Sequence, residues 1–248
     1  MPEYYTNPDV ISVDGYEIYF TRFSDSILGD HFTKAVSDLE QILSNFWIDE
    51  SQIVEGGGGL SSITQRLRDN LYEHGWNKIN IKSEQRVRDR VLSSESHEID
   101  HYKEFDKGNI GLEIEWNNKD PFFDRDLENF RKLHQLGEIS MGVIITRGES
   151  LQTALYHVFL RFLEKTQPDT VKDILAHISL SIKDQSIIKK MLEAPMEESY
   201  PTIARKIYTS KFGSTTTHMG KLHLRINRGV GNPCPLVLIG IGADSLRA

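Results

Sequence analysis

Residues 96–118 read SHEIDHYKEFDKGNIGLEIEWNN, and the backbone they adopt decides what can be built around them. Two segments, EIDHYKE and IGLEIEW, alternate apolar and polar side chains on either side of Phe105-Asp106-Lys107-Gly108-Asn109. Asp, Gly and Asn tolerate the positive φ of tight turns, and a period of two is that of half-buried strands, so the pattern predicts a β-hairpin.

The hairpin sets Asp100 nearly opposite Glu113 and Glu115 on the neighbouring strand, within cross-strand reach. Glu113 and Glu115, two residues apart, project from one face. Three carboxylates gathered in this way repel one another unless cations neutralise them, and oxygen ligands on a rigid hairpin suit Mg²⁺ and a phosphate-bearing substrate. Read as a helix instead, His97, Glu98 and His101 make HExxH, the signature of a zinc metallopeptidase. Ser93, Ser94 and Ser96 upstream, the charge of Asp100 inside the motif and the Gly-Asn turn soon after His101 leave little room for such a helix.

The rest of the chain frames the hairpin. Phe32, Val36, Leu39, Leu43 and Phe46 predict a helix over about 30–47. The run Gly56–Gly59 is a loop without a following GK[ST], and Leu60, Ile63, Leu67 and Leu71 stripe a second helix ending at Gly75. Leu127, Phe130, Leu133 and Leu136 mark a helix after Pro121, ISMGVIIT and PLVLIGIG are continuous apolar runs expected as central buried strands, and residues 149 to about 194 are helical. The fold class expected is α/β, a central mixed sheet flanked by helices, in a single domain spanning 1–248. Net charge is −7, but Pro201–Ala243 contains no Asp or Glu and six cations, Arg205, Lys206, Lys211, Lys221, Arg225 and Arg228, a segment that could face phosphate. No apolar run is long enough to span a bilayer and MPEYYTNPDV has no signal-peptide pattern, so a cytoplasmic protein is expected. The lone Cys234 reads as a small buried hydrophobe.

IDHYKEF followed by GLEIEWNN, together with NRGVGNPCPLVLIGIG at 227–242 and the helix ending at Gly75-Trp76, resembles the BamHI, BglII and BstYI group of type II restriction endonucleases, within the PD-(D/E)xK nuclease class. The resemblance leaves residues after Gly148, about 149–200, as a helical insertion. It implies a restriction-endonuclease-like fold and a Mg²⁺-dependent homodimer that cuts double-stranded DNA at a short palindrome, with a cognate DNA methyltransferase in the same system. Carried over by position, Asp100 and Glu113 would ligate the metal, and Glu115, where the class usually has lysine, would hold a second ion or act as general base. Asn118 and Lys119 would contact DNA after the catalytic strand, and Ser214, Thr215, Thr216, Thr217, His218 and Lys221 would form a further recognition loop. The helix over 124–136 would be the dimer face, by analogy and by its apolar stripe. The spacing from Asp100 to Glu113 differs from that of the named members, which makes Asp106 a rival ligand; the IDHYKEF match favours Asp100. A non-catalytic DNA-binding protein whose acidic hairpin is only structural is the reading from another class, and metal dependence separates the two.

Overall fold

The computed structural model describes residues 3–55 and 61–247; the glycine run Gly56–Gly59 and Leu60 lie outside them. In chain order the strands are β1 (Tyr16–Phe20), β2 (Ile48–Asp49), β3 (Asn77–Val87), β4 (Arg90–Phe105), β5 (Gly108–Glu115), β6 (Met141–Arg147), β7 (Leu236–Ile241) and β8 (Leu246–Arg247). The helices are α1 (Ser24–His31), α2 (Thr33–Ser44), α3 (Glu50–Glu55), α4 (Ser62–Glu73), α5 (Phe122–Gln135), α6 (Glu149–Thr166), α7 (Val171–Leu175), α8 (Ile182–Met191), α9 (Met196–Phe212) and α10 (Met219–Ile226). None is long and apolar enough, among the described residues, to cross a membrane.

Six strands form a mixed sheet in the order β1-β7-β6-β5-β4-β3, with β2 and β8 pairing separately. β5, β6 and β7 run parallel in the middle, while β1, β4 and β3 add antiparallel towards the edges. The expected α/β architecture follows from the buried apolar runs of β6 and β7, which need helices on both faces. On one face Leu39, Leu67, Leu155, Phe159 and Ile203 pack with Leu112, Val143 and Ile239. On the other, Leu127, Phe130 and Leu133 of α5 and Leu222 of α10 cover Ile99, Ile144 and Leu238. Helices α6 to α9, which include the stretch read as an insertion, thus contribute to the larger core and continue to Phe212.

Several expectations change. The helix expected over 30–47 is two, α1 and α2, separated at Phe32. The strand bearing Asp100 also forms a second, longer hairpin on its other side, since β3 and β4 stay paired from Asn77↔Tyr102 out to Val87↔Arg90, mostly with exposed side chains. The apolar stripe of α5, assigned to a dimer face, is core: Leu127, Phe130 and Leu133 are fully buried within one chain. An amphipathic stripe reads the same whether it meets its own sheet or a partner.

Two glycines set how close α5 comes. Gly111 on β5 and Gly142 on β6 are register partners, and Phe130 fills the space above both. A Cβ at Gly142 would sit 2.4 Å from Phe130 Cδ2, so a side chain there would lift α5 away. Asp126, one turn before Phe130, is thereby brought down beside the outer end of β5.

Candidate functional site

The ladder from Phe105↔Gly108 to His101↔Leu112 continues to place Asp100 across from Glu113, whose Oε1 accepts from the Asp100 backbone N–H at 3.3 Å. Asp106 lies exposed in the turn at the far end of the same hairpin. On its other side β4 pairs Ile99 with Ile79 and Tyr102 with Asn77, so Asp100 and His101 together oppose Lys78. This is a β-bulge, a device that re-aims side chains where regular pleating would not. At the bulge Asp100 Oδ1 lies 3.8 Å from Lys78 Nζ, which is also paired with Glu98 at 2.7 Å.

The bulge also disposes of the metallopeptidase arrangement. His97 and His101 lie on a strand, not a helix, with His97 Nδ1 at 3.2 Å from Asn129 Oδ1 on α5 and the His101 ring against Tyr72 on α4, across the sheet. Two histidines on opposite faces cannot share one zinc. Burial pushes His101 down to about 4, which keeps it neutral.

Glu113 and Glu115 point to the α5 face and are almost wholly buried, as is Asp126. Asp126 is a site residue that the sequence reading missed, although Phe123, Leu127 and Phe130 put position 126 on the inward face of the helix. Burial, then the charges of Asp126 and Asp100, hold the Glu113 carboxyl well above the ordinary range. Burial and Asp126 push Glu115 up to about 9, and burial raises Asp126 too. Asp126 Oδ2 is buried without a hydrogen-bond donor among the described residues. Partly compensating groups surround the pair. Asn118 Nδ2 donates to Glu115 Oε2 at 2.8 Å, and Arg125 Nη2 lies 2.7 Å from Asp126 Oδ1 and 3.6 Å from Glu115 Oε1.

The two segments assigned to DNA contact meet beside this cluster. Thr217 N–H donates to Asn118 O at 2.9 Å, Asn118 N–H to Thr217 Oγ1 at 3.2 Å and Asp120 N–H to Thr215 O at 2.9 Å, with Lys119 bridged to Thr216. Asn118, Lys119, Ser214 and Thr215 remain exposed, whereas Thr217 is fully buried and Thr216 Oγ1 accepts from Arg147 Nη2 at 2.8 Å. Thr216 and Thr217 therefore hold the loop rather than offer free hydroxyls. His218 is half-buried and desolvation, then nearby Arg147 and Lys221, lowers it to about 4. Lys221 lies 3.6 Å from Asp120 Oδ2, Arg225 Nε 3.0 Å from Asp124 Oδ2 and Lys206 2.6 Å from Asp184 Oδ1, so part of the acid-free segment is neutralised by acids from elsewhere in the chain.

Among the described residues, no three His, Cys, Asp or Glu side chains form a ready-made metal cage. The donor set nonetheless fits a hard divalent cation. It consists of carboxylate oxygens, two of its acids, Glu113 and Glu115, are buried, and the raised pKa of both favours protons that a cation would displace. Asp100 and Glu113 could hold such an ion after side-chain rotation, with Glu115 beside them.

A comparison with curated proteins yields no match. The family model described as "Restriction endonuclease BglII/BglIII" matches residues 16–241, from β1 through β7 and including helices α6 to α9. A buried acidic strand at the centre of a mixed sheet, and a match covering nearly the whole chain, place this protein in the BglII/BglIII restriction endonuclease family, whose members are type II site-specific deoxyribonucleases.

Proposed function

We propose that the chain is a Mg²⁺-dependent endonuclease that works as a homodimer on a short palindrome, each subunit hydrolysing one strand, with Asp100, Glu113 and Glu115 at the scissile phosphate. The observation that supports this reading best is the cross-strand link between Asp100 and Glu113, whose Oε1 accepts from the Asp100 N–H, at a bulge beside the buried acids Glu115 and Asp126. Bound Mg²⁺ would polarise the phosphoryl oxygen and acidify the attacking water. Asp100 and Glu113 would supply the oxygen ligands. Glu115 receives the proton of the attacking water, a task for which a raised affinity for protons suits it once nearby positive charge brings it into the neutral range. Asn118 and Arg125 hold the Glu115 carboxyl in place through its two oxygens.

Duplex contact falls to the exposed Asn118, Lys119, Ser214 and Thr215, with Lys221 and His218 behind them. A two-fold site on DNA is most simply read by a two-fold protein. With its apolar stripe spent on the core, α5 could still meet a partner through its outer face, where Phe122 and Leu136 are exposed. An enzyme that cuts short palindromes would cut its host's own DNA, so a methyltransferase of matching specificity belongs to the same system.

Incubation with plasmid DNA in Mg²⁺, Ca²⁺ or Zn²⁺ tests the reading. Discrete fragments are expected in Mg²⁺, with binding but no cutting in Ca²⁺. A smear, or no cleavage under all three conditions, would contradict it.

A further inference from the structure

Arg147, the last residue of β6, is fully buried, yet it pairs with no carboxylate among the described residues. Its Nη1 donates to Asn117 Oδ1 at 3.0 Å, and its Nη2 donates to Thr216 Oγ1 at 2.8 Å and the Thr217 carbonyl at 2.6 Å. The guanidinium lies over the rings of Trp116 and Phe212, at 5.8 and 4.8 Å from their centroids, and burial lowers its pKa to about 9. Burying a cation without a counter-ion is costly, and an apolar residue would fill this core at less expense. What the guanidinium provides is a fork that ties two segments nearly 100 residues apart in sequence, 117–120 and 215–217, into one short ladder. That ladder ends at Asn118, whose side-chain amide donates to Glu115 Oε2.

We propose that Arg147 is a positioning residue that couples the loop at 213–218 to the catalytic strand, so that contact of the loop with DNA bears on Glu115 through Asn118. The connection is continuous: Ser214 and Thr215 face outward, Thr216 and Thr217 are clamped by Arg147, Thr217 exchanges hydrogen bonds with Asn118, and Asn118 holds the carboxyl. A duplex of the wrong sequence that leaves the loop unseated would leave Asn118, and with it Glu115, out of place. Arg147 would then govern the rate of cutting and its fidelity more than the affinity for DNA. This inference rests on the assignment of Glu115 to the reacting site.

The test uses the full chain and the plasmid fragment that the wild-type protein cuts, alongside the same fragment altered by one base pair at the cut site. With enzyme in excess, Arg147→Lys is expected to slow cutting of the correct fragment by about tenfold or more, as losses of groups that orient reacting carboxylates do. It should also narrow the rate ratio between the two fragments and leave affinity in Ca²⁺ within about threefold, since phosphate contacts dominate affinity. Thr216→Val, which removes one acceptor of the fork, should shift the rate in the same direction by less, and the two changes should be non-additive. Unchanged rate and fidelity in both variants, additive effects, or a loss that follows only the fraction unfolded would overturn the proposal. If Arg147→Lys does not fold, Thr216→Val alone decides by its rate and fidelity. Failure of the underlying site assignment would show separately, as full cleavage by Glu115→Gln with Arg147 intact.

Discussion

Glu113→Gln is expected to lose cleavage on the order of a thousandfold or more, because a neutral amide binds a cation weakly and does not balance its charge beside the scissile phosphate. The same change should cost the fold almost nothing. Glu113 is buried with its pKa raised, so burial already favours its neutral form, which accepts from the Asp100 N–H through Oε1. Glutamine has the same shape and keeps that acceptor. Single-turnover rates and thermal midpoints measured on the same preparation separate the two effects. An inactive variant that melts like the wild type or slightly above it is the expected result, and one that still cuts DNA would remove Glu113 from the reacting site.

Stability of the metal-free protein is expected to fall as pH rises from about 5 to 9, the reverse of the usual response of a paired carboxylate. Glu113, Glu115 and Asp126 all have raised pKa values, with Glu115 at about 9. In the unfolded chain these groups titrate near 4. Between the two ranges the folded state binds more protons than the unfolded state, so raising the pH favours unfolding, by roughly 1.4 kcal/mol per pH unit for each proton retained. Their contribution is fully present below the unfolded pKa and is lost as pH climbs through the folded pKa. A divalent cation should flatten the curve by replacing the protons, and calorimetric titration should record proton release on binding. Denaturation at pH 6 and 8.5, with and without Mg²⁺, measures both. A metal-free protein that gains stability over this range would mean that the cluster is already ionised and paired.

The hairpin was legible because turn chemistry and period-two alternation agree at 96–118, and the hydrogen-bond register then places Asp100, not Asp106, across from Glu113. The parallel centre of the sheet was legible for a similar reason, since β6 and β7 are uninterrupted apolar runs. Sequence spacing could not show the bulge at Asp100 and His101, which depends on pairing with Lys78 on the preceding strand. Asp126 was hidden by its charge, because a carboxylate on the inward face of a helix looks like a break in the stripe until Gly111 and Gly142 are known to admit Phe130 so closely. Arg147 was hidden in the same way. It ends an apolar strand where a cation would be expected to reach solvent, and the groups that receive it, at 117 and 216–217, come together only in three dimensions.

The assignment of the reacting site turns on the register of one hairpin, and cleavage of plasmid DNA in Mg²⁺ by Asp100→Asn and Asp106→Asn tests it most directly. The structure predicts fragments at the wild-type rate from Asp106→Asn, whose carboxylate lies in the exposed turn, and a loss on the order of a thousandfold from Asp100→Asn. Cleavage retained by Asp100→Asn and abolished in Asp106→Asn would contradict the account.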